Sequence, residues 1–350
     1  MISRRAALCG LLAAPLALGL ARRAAAASPR GDVRAVTVRS RPIVDFAPRE
    51  PGRIRFGALD FLGGLEMSSD DPLFGSFSAL RSRDRGRELL SVGDEGTWFW
   101  ARLDTDETGR ANGIAEARLA RLCDGHGRPL RGKGDTDAES LELQEEDGAV
   151  TALVGFERHH RLLRWRSTDG WRGLLTAAAQ PIGDMPKDIS TLGRNQGLEA
   201  IARAPHGSRL AGTLVLLGEE PRSGERDHPG WFVGGPTPGA FHVAQRDDFA
   251  ITDACFLPDG DLLILERRFR WIRGIAMRIR RLPATAIAPG RTVDGPVLLE
   301  ADGTHDIDNM EGLAVDRAPD GSTILTLISD DNGSWLQRSL LLRFRLRDDV

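Results

Sequence analysis

The chain has 350 residues, a formal net charge of −3, 28% charged residues and three cysteines. So even a balance of charge offers no basic field for nucleic acid, and three cysteines provide no disulfide framework. No apolar run after residue 30 is long enough to span a bilayer, so stable membrane insertion by a helix is not expected.

The first element is an export leader. Arg4-Arg5 is followed by an apolar run over residues 6–20 and a small-residue stretch over 24–27, ending at Ser28-Pro29. A basic start, a short apolar run and an A-x-A site predict a cleavable segment over residues 1–27. Ser3-Arg4-Arg5-Ala6-Ala7-Leu8 also resembles a twin-arginine leader, which would place the product in the periplasm or outside the cell. Cleavage removes Cys9 and leaves residues 28–350 as one domain with Cys123 and Cys255, enough for one disulfide. Cys255 lies in an apolar strand pattern and reads as a small buried hydrophobe.

From there the chain repeats a hairpin. Phe77-Ser78-Ala79-Leu80 turns at Asp84-Arg85-Gly86 and returns to Asp94; Ala138-Glu139-Ser140-Leu141 turns at Asp147-Gly148 and returns to Glu157. Leu198-Glu199-Ala200-Ile201 turns at His206-Gly207 and ends at Glu219, and Thr252-Asp253-Ala254 turns at Pro258-Asp259-Gly260 and ends at Glu266. Met310-Glu311-Gly312-Leu313 turns at Pro319-Asp320-Gly321 and ends at Asp330. Asp-Gly makes a hairpin because such turns need positive φ. Aligned on the turns, the entry positions Ser78, Glu139, Glu199, Asp253 and Glu311 fall at intervals of 61, 60, 54 and 58 residues.

Third strands are predicted at 98–103, 161–166, 276–282 and 339–346, and fourth strands at 114–122, 241–244 and 297–299. The last copy lacks an outer strand, which either 53–67 or 33–44 would supply to close the ring. About four short strands per repeat of this length predict an all-β, single β-propeller of four-stranded blades. Five blades are counted; six is the alternative. Trp98, Trp100, Trp165, Trp171, Trp231 and Trp335 are assigned to packing between blades, with a sugar-binding surface as the alternative.

In a propeller the first strand of each blade lines the channel and the second runs back beside it. The entry residues and the second-strand ends Asp94, Glu157, Glu219, Glu266 and Asp330 should therefore face one mouth. Anions gathered on an axis must protonate, pair or bind a cation. Oxygen ligands without His or Cys suit Ca²⁺ rather than Zn²⁺, so Ser78, Glu139, Glu199, Asp253 and Glu311 are the candidate metal ligands. Arg158, Arg161, Arg267, Arg268 and Arg338 are placed to pair the outer acids, and a salt-bridge network without metal is the competing reading.

Several stretches together resemble the phytase-like family, described as having esterase-like activity of phytase. They are Gly63-Gly64-Leu65-Glu66, Phe156-Glu157-Arg158-His159-His160-Arg161, Leu198-Glu199-Ala200, Leu265-Glu266-Arg267-Arg268-Phe269, Asp308-Asn309-Met310-Glu311-Gly312 and Ser329-Asp330-Asp331-Asn332. They span roughly residues 50–348. Gly93-Asp94-Glu95-Gly96 departs from the family's Ser-Asp-Arg-Gly by loss of a basic residue. The order Ser, Glu, Glu, Asp, Glu along the inner strands is also similar to the calcium-activated nucleotidases, five-bladed propellers with an axial Ca²⁺.

The expected function is hydrolysis of a small phosphate or other ester by a monomer with Ca²⁺ at the mouth. Glu157, Glu266 and Asp330 are candidates for the base that activates water. Arg158, Arg161, Arg267 and Arg338 are candidates for holding substrate oxygens. No G-x-S-x-G supports a serine nucleophile. The alternative is a non-catalytic propeller in which calcium is structural and the mouth binds a ligand or an envelope partner.

Overall fold

The structure is a computed structural model describing residues 32–347, apart from 184, 194–196 and 272–273. The segment read as an export leader, residues 1–27, therefore lies outside the described residues. Among the described residues no helix is long and apolar enough to cross a membrane.

Five small sheets, antiparallel but for one short outer strand in blade 3, ring one axis. The inner strands, in chain order, are Phe77–Arg83, Ala138–Glu146, Leu198–Arg203, Ala250–Phe256 and Asn309–Arg317, one for each of blades 1 to 5. Each pairs with the strand that follows its hairpin: Glu88–Gly93, Ala149–Phe156, Leu214–Gly218, Leu262–Arg270 and Thr323–Asp330. The turns behave as their residues dictate. Asp147 and Gly148 take φ of 51° and 71°, the two positive values that a two-residue hairpin of matching twist requires.

Both segments offered for ring closure are used. Leu59–Ser68 pairs with the last strand, Ser339–Leu346, and Arg39–Ile43 pairs outside it. Arg34–Ala35 then adds to the outer strand of blade 1. The N-terminal segment thus ties blade 5 to blade 1, which leaves no open ring edge.

Two blades are less regular than the pattern implied. Blade 2 has only Gln180–Pro181 as its outer strand. The third strand of blade 3, His228–Val233, was not legible because Pro229 and Gly230 are residues that weaken a strand reading.

Blades pack through apolar faces, and five of the seven tryptophans (Trp98, Trp100, Trp165, Trp171 and Trp231) are between 0 and 3% exposed. Trp335 does not join them: it is 90% exposed. Cys255 is buried with a free thiol that donates to the Leu313 carbonyl, so no bond to Cys123 forms.

A charged plug closes the channel below the mouth. Arg81 of blade 1, 7% exposed, crosses the axis and pairs with Asp253 of blade 4 at 2.9 Å and with Glu142 of blade 2 at 3.2 Å. Its remaining N–H groups donate to the carbonyls of Leu80, Ile201, Ala254 and Leu313. Buried guanidinium charge is tolerated because it is both paired and saturated with acceptors.

Candidate metal centre at the acidic mouth

Four of the five entry residues sit at a local break in strand register. Pairing skips Ser78 in blade 1, Glu139 in blade 2, Glu199 in blade 3 and Glu311 in blade 5. Such a bulge re-aims the extra side chain, and all four line one cavity of about 850 Å³ at the mouth.

Blade 4 breaks the expected pattern by one residue. There the register skips Thr252, and Ile251 pairs with Glu266. Because side chains alternate with a period of two, a single-residue slip moves a side chain to the other face. Asp253 is therefore not in the mouth: it is fully buried and accepts hydrogen bonds from Arg81 and from the backbone N–H of Ala254 and Leu313. Thr252 takes the entry position, its hydroxyl 3.1 Å from the Met310 carbonyl oxygen.

The same slip removes Glu266. Fully buried, it accepts from Arg278 Nε at 2.9 Å and from Arg280 Nη2 at 2.6 Å, inside the blade. Arg267 lines the mouth instead, so blade 4 contributes a cation where the sequence alignment placed two acids, while the buried Thr252 hydroxyl is turned to the Met310 carbonyl.

Two arginines also leave the site. Arg161 stacks over Phe156 at 4.2 Å and donates to the Asp135 carbonyl. Arg338 pairs with Asp306 at 2.7 Å and approaches Asp308 at 3.6 Å, so it orients a lining residue without lining the cavity. Arg268 likewise donates to the Asp247 carbonyl.

Three charged lining residues were not among the predicted site residues: Lys133, Asp137 and Asp308. Lys133 bridges Asp94 at 2.5 Å and Asp137 at 2.7 Å, and Arg158 also holds Asp137, at 2.5 Å. Arg267 spans Glu311 at 2.8 Å and Glu219 at 3.2 Å. The competing reading was thus half right. Cations neutralise the two flanks of the mouth, but among the described residues Glu139 and Glu199 make no ion pair.

Those two acids belong to two overlapping clusters. In Asp137, Glu139 and Glu157, and again in Glu157, Glu199 and Glu219, carboxylate oxygens lie within 4.8 Å of one another. Withdrawal from water, together with neighbouring carboxylates, pushes Glu139 and Glu199 well above the usual carboxylate range. Burial pushes Glu157, Glu219 and Asp330 up to about 7, and Glu311 up to about 8. Asp137 goes the other way: Lys133 and Arg158 outweigh its burial and hold it low. Three convergent oxygens in each cluster, with no nitrogen or sulfur and at sites that shun a bare negative charge, fit a hard divalent cation.

A pH signature follows. An acid whose pKa is raised in the fold favours the folded state below its unfolded value and loses that contribution as pH rises through the raised value. The cation-free protein should therefore lose melting temperature between about pH 5 and pH 8, the window set by Glu157, Glu219, Glu311 and Asp330. Saturating Ca²⁺ should cancel that fall. Thermal melts in chelator and in Ca²⁺ across this range check it, and a flat chelator profile would contradict the electrostatics described.

The phytase-like family model, described as esterase-like activity of phytase, matches residues 72–333. No curated protein matches the chain. Among solved structures, an alpha-L-arabinofuranosidase from Lactobacillus brevis aligns with a TM-score of 0.46 at 13% identity, covering 80% of this chain and 94% of that one. A bifunctional GH43-CE protein from Bacteroides eggerthii aligns with a TM-score of 0.42 at 10% identity, covering 78% of this chain and 33% of that one. Neither likeness is close enough to transfer chemistry.

Proposed function

The chain belongs to the phytase-like family, and from that premise we propose that it is a calcium-dependent hydrolase of phosphate or other esters, working at the acidic mouth. The observation that carries this reading is the pair of carboxylate clusters sharing Glu157. Glu139, Glu157 and Glu199 would hold the ion, with Ser78 and Glu219 at its margin. A calcium ion bound there would polarise a substrate oxygen and offset the negative charge that develops on it.

The remaining roles fall to the chain's own side chains. Asp330 lines the cavity outside both clusters, and its Oδ1 accepts from the Asn332 N–H. With its pKa raised to about 7, it suits a base that takes a proton from water near neutral pH. Arg158 holds Asp137 through Nε alone and keeps its other N–H groups for an anionic oxygen. Its backbone sits at φ 57°, an uncommon conformation for a side-chain-bearing residue and one that clusters at functional sites. Arg267 fixes Glu219 and Glu311 and so positions the clusters.

The proposal includes export: residues 1–27 would be removed and the enzyme would act in the periplasm or the medium. N-terminal sequencing of the mature protein tests the cleavage. The activity is tested with p-nitrophenyl phosphate and p-nitrophenyl acetate, in Ca²⁺ and in chelator. Turnover that needs Ca²⁺ supports the reading, and turnover indifferent to chelator sinks it. A Ca²⁺-dependent melting temperature without turnover on either ester would favour the non-catalytic propeller with structural calcium.

A further inference from the structure

Five tryptophans are buried between blades, but Trp271 and Trp335 are 93% and 90% exposed. Both lie beside the mouth, in the connections between the second and third strands of blades 4 and 5. Phe269 and Leu336, 59% and 71% exposed, lie within two residues of them in sequence. Phe269, its cross-strand partner Ile275, and Leu336 line the same cavity as the carboxylates. The Phe269 and Trp271 rings stand 5.9 Å apart, edge to face.

The equivalent connections in blades 1 to 3 are polar. They read Asp94-Glu95-Gly96, Glu157-Arg158-His159-His160, and Glu219-Glu220-Pro221-Arg222-Ser223-Gly224-Glu225-Arg226-Asp227. The rim of the mouth is thus two-sided: the connections of blades 1 to 3 are polar and charged, whereas those of blades 4 and 5 carry the large exposed apolar side chains, above a cavity floor to which blade 5 also gives Asp308, Glu311 and Asp330. Large side chains held this far out of the core, contiguous with a cavity, mark a contact surface rather than packing. The charge count limits what they contact. The lining holds nine carboxylates, whereas its cations are Lys133, Arg158 and Arg267, and each of these three is already paired to a carboxylate. Three cations, each shared with a carboxylate, leave little positive charge for a ligand carrying many phosphates.

We propose that the wall formed by Phe269, Trp271, Trp335 and Leu336 binds the apolar ring or chain of an amphiphilic ester bearing a single anionic or ester group. That group points at the carboxylate clusters, and polyphosphorylated polyols are disfavoured. The proposal deepens the hydrolase reading and rests on it for the fate of the ligand, though not for its binding.

The test is calorimetric titration of the mature protein in saturating Ca²⁺ with 1-naphthylphosphonate and with methylphosphonate, which cannot be hydrolysed. The naphthyl compound should bind about tenfold tighter or better. In Trp271→Ala/Trp335→Ala that preference should vanish while methylphosphonate affinity stays within about twofold. Both side chains are almost fully exposed, so the fold should tolerate their loss. A preference that is absent, or that survives the double substitution, overturns the proposal. So does loss of binding to phosphatidylcholine–phosphatidylglycerol vesicles with the phosphonate preference unchanged, since the wall would then be a lipid-docking surface. Turnover of 1-naphthyl phosphate separates the two readings. Wall-dependent binding without turnover removes the hydrolase and keeps the wall, whereas turnover with no wall dependence does the reverse.

Discussion

Glu199→Gln is expected to abolish the stabilisation of the protein by Ca²⁺ while leaving the cation-free protein as stable as before, or more so. Glu199 is 7% exposed and shares a carboxylate cluster with Glu157 and Glu219. Without a cation its burial, reinforced by Glu219, Glu139 and Glu311, raises its pKa well above the usual range against the pull of Arg267. The fold thus favours its protonated form, and glutamine copies that neutral form in shape and polarity. With a cation present, glutamine supplies neither the charge nor the second oxygen. Affinity for Ca²⁺ should fall roughly 100-fold, the upper end of what metal sites lose when even an outer partner of a ligand is removed. The wild type at one hundred times its Kd should gain about 2.7 kcal/mol from the ion, and the variant almost none. Turnover should fall in parallel. If Glu199→Gln keeps the Ca²⁺-dependent rise in melting temperature, the metal centre is misplaced.

Asp253→Asn should do the opposite, unfolding the protein more readily without touching the ion. Asp253 is the main counter-charge for Arg81, with Nη1 at 2.9 Å and both groups out of water. Its burial and the guanidinium act on it in opposite directions, and burial is the larger effect. Removing one partner of such a pair leaves a buried charge under-compensated and costs about 3–5 kcal/mol. Glu142, at 3.2 Å from Nε, offsets only part of that loss. Replacing both partners, as in Arg81→Met/Asp253→Leu, should recover much of it, since apolar substitution of a buried pair is often neutral. Chemical denaturation of the three variants measures the cycle. Asp253→Asn with native stability but weakened Ca²⁺ binding would return Asp253 to the metal site.

The two predictions separate residues that looked alike in the sequence. Glu199 and Asp253 were aligned as the same position of successive repeats, and the hairpins containing them were correctly found. Turn chemistry and apolar alternation are local signals, and they located every inner strand and its partner. Which side chain of a pair faces the mouth is not local. In blade 4 the neighbours Thr252-Asp253 and Glu266-Arg267 each offer an acid within one residue of the right place, and an alignment on the turns, which does not fix register at the far strand ends, took the acid both times. Only the pairing of Ile251 with Glu266 shows that both choices were one residue out.

The missed residues had a weaker signal. Asp137 and Asp308 precede the entry acids Glu139 and Glu311 by two and three residues, just before the inner strands, and Asp308 lay within a stretch already singled out. Lys133 stands in a four-residue helix, Lys133–Thr136, that no periodicity announces. Trp335 was assigned to packing because aromatic residues usually serve that end, and Trp271 was passed over.

By itself the sequence determined an all-β chain of repeated hairpins, a ring that its own N-terminal segment could close, and acids gathered toward one mouth. These follow from turn residues, alternation and spacing, which act over a few residues at a time. The tertiary structure decided which acids face the cavity, which are spent on Arg81, Arg278 and Arg280, and where the apolar wall stands. Strand register and the meeting of distant blades set those outcomes, because a one-residue shift reverses a side chain and a buried charge takes whichever partner the fold brings to it.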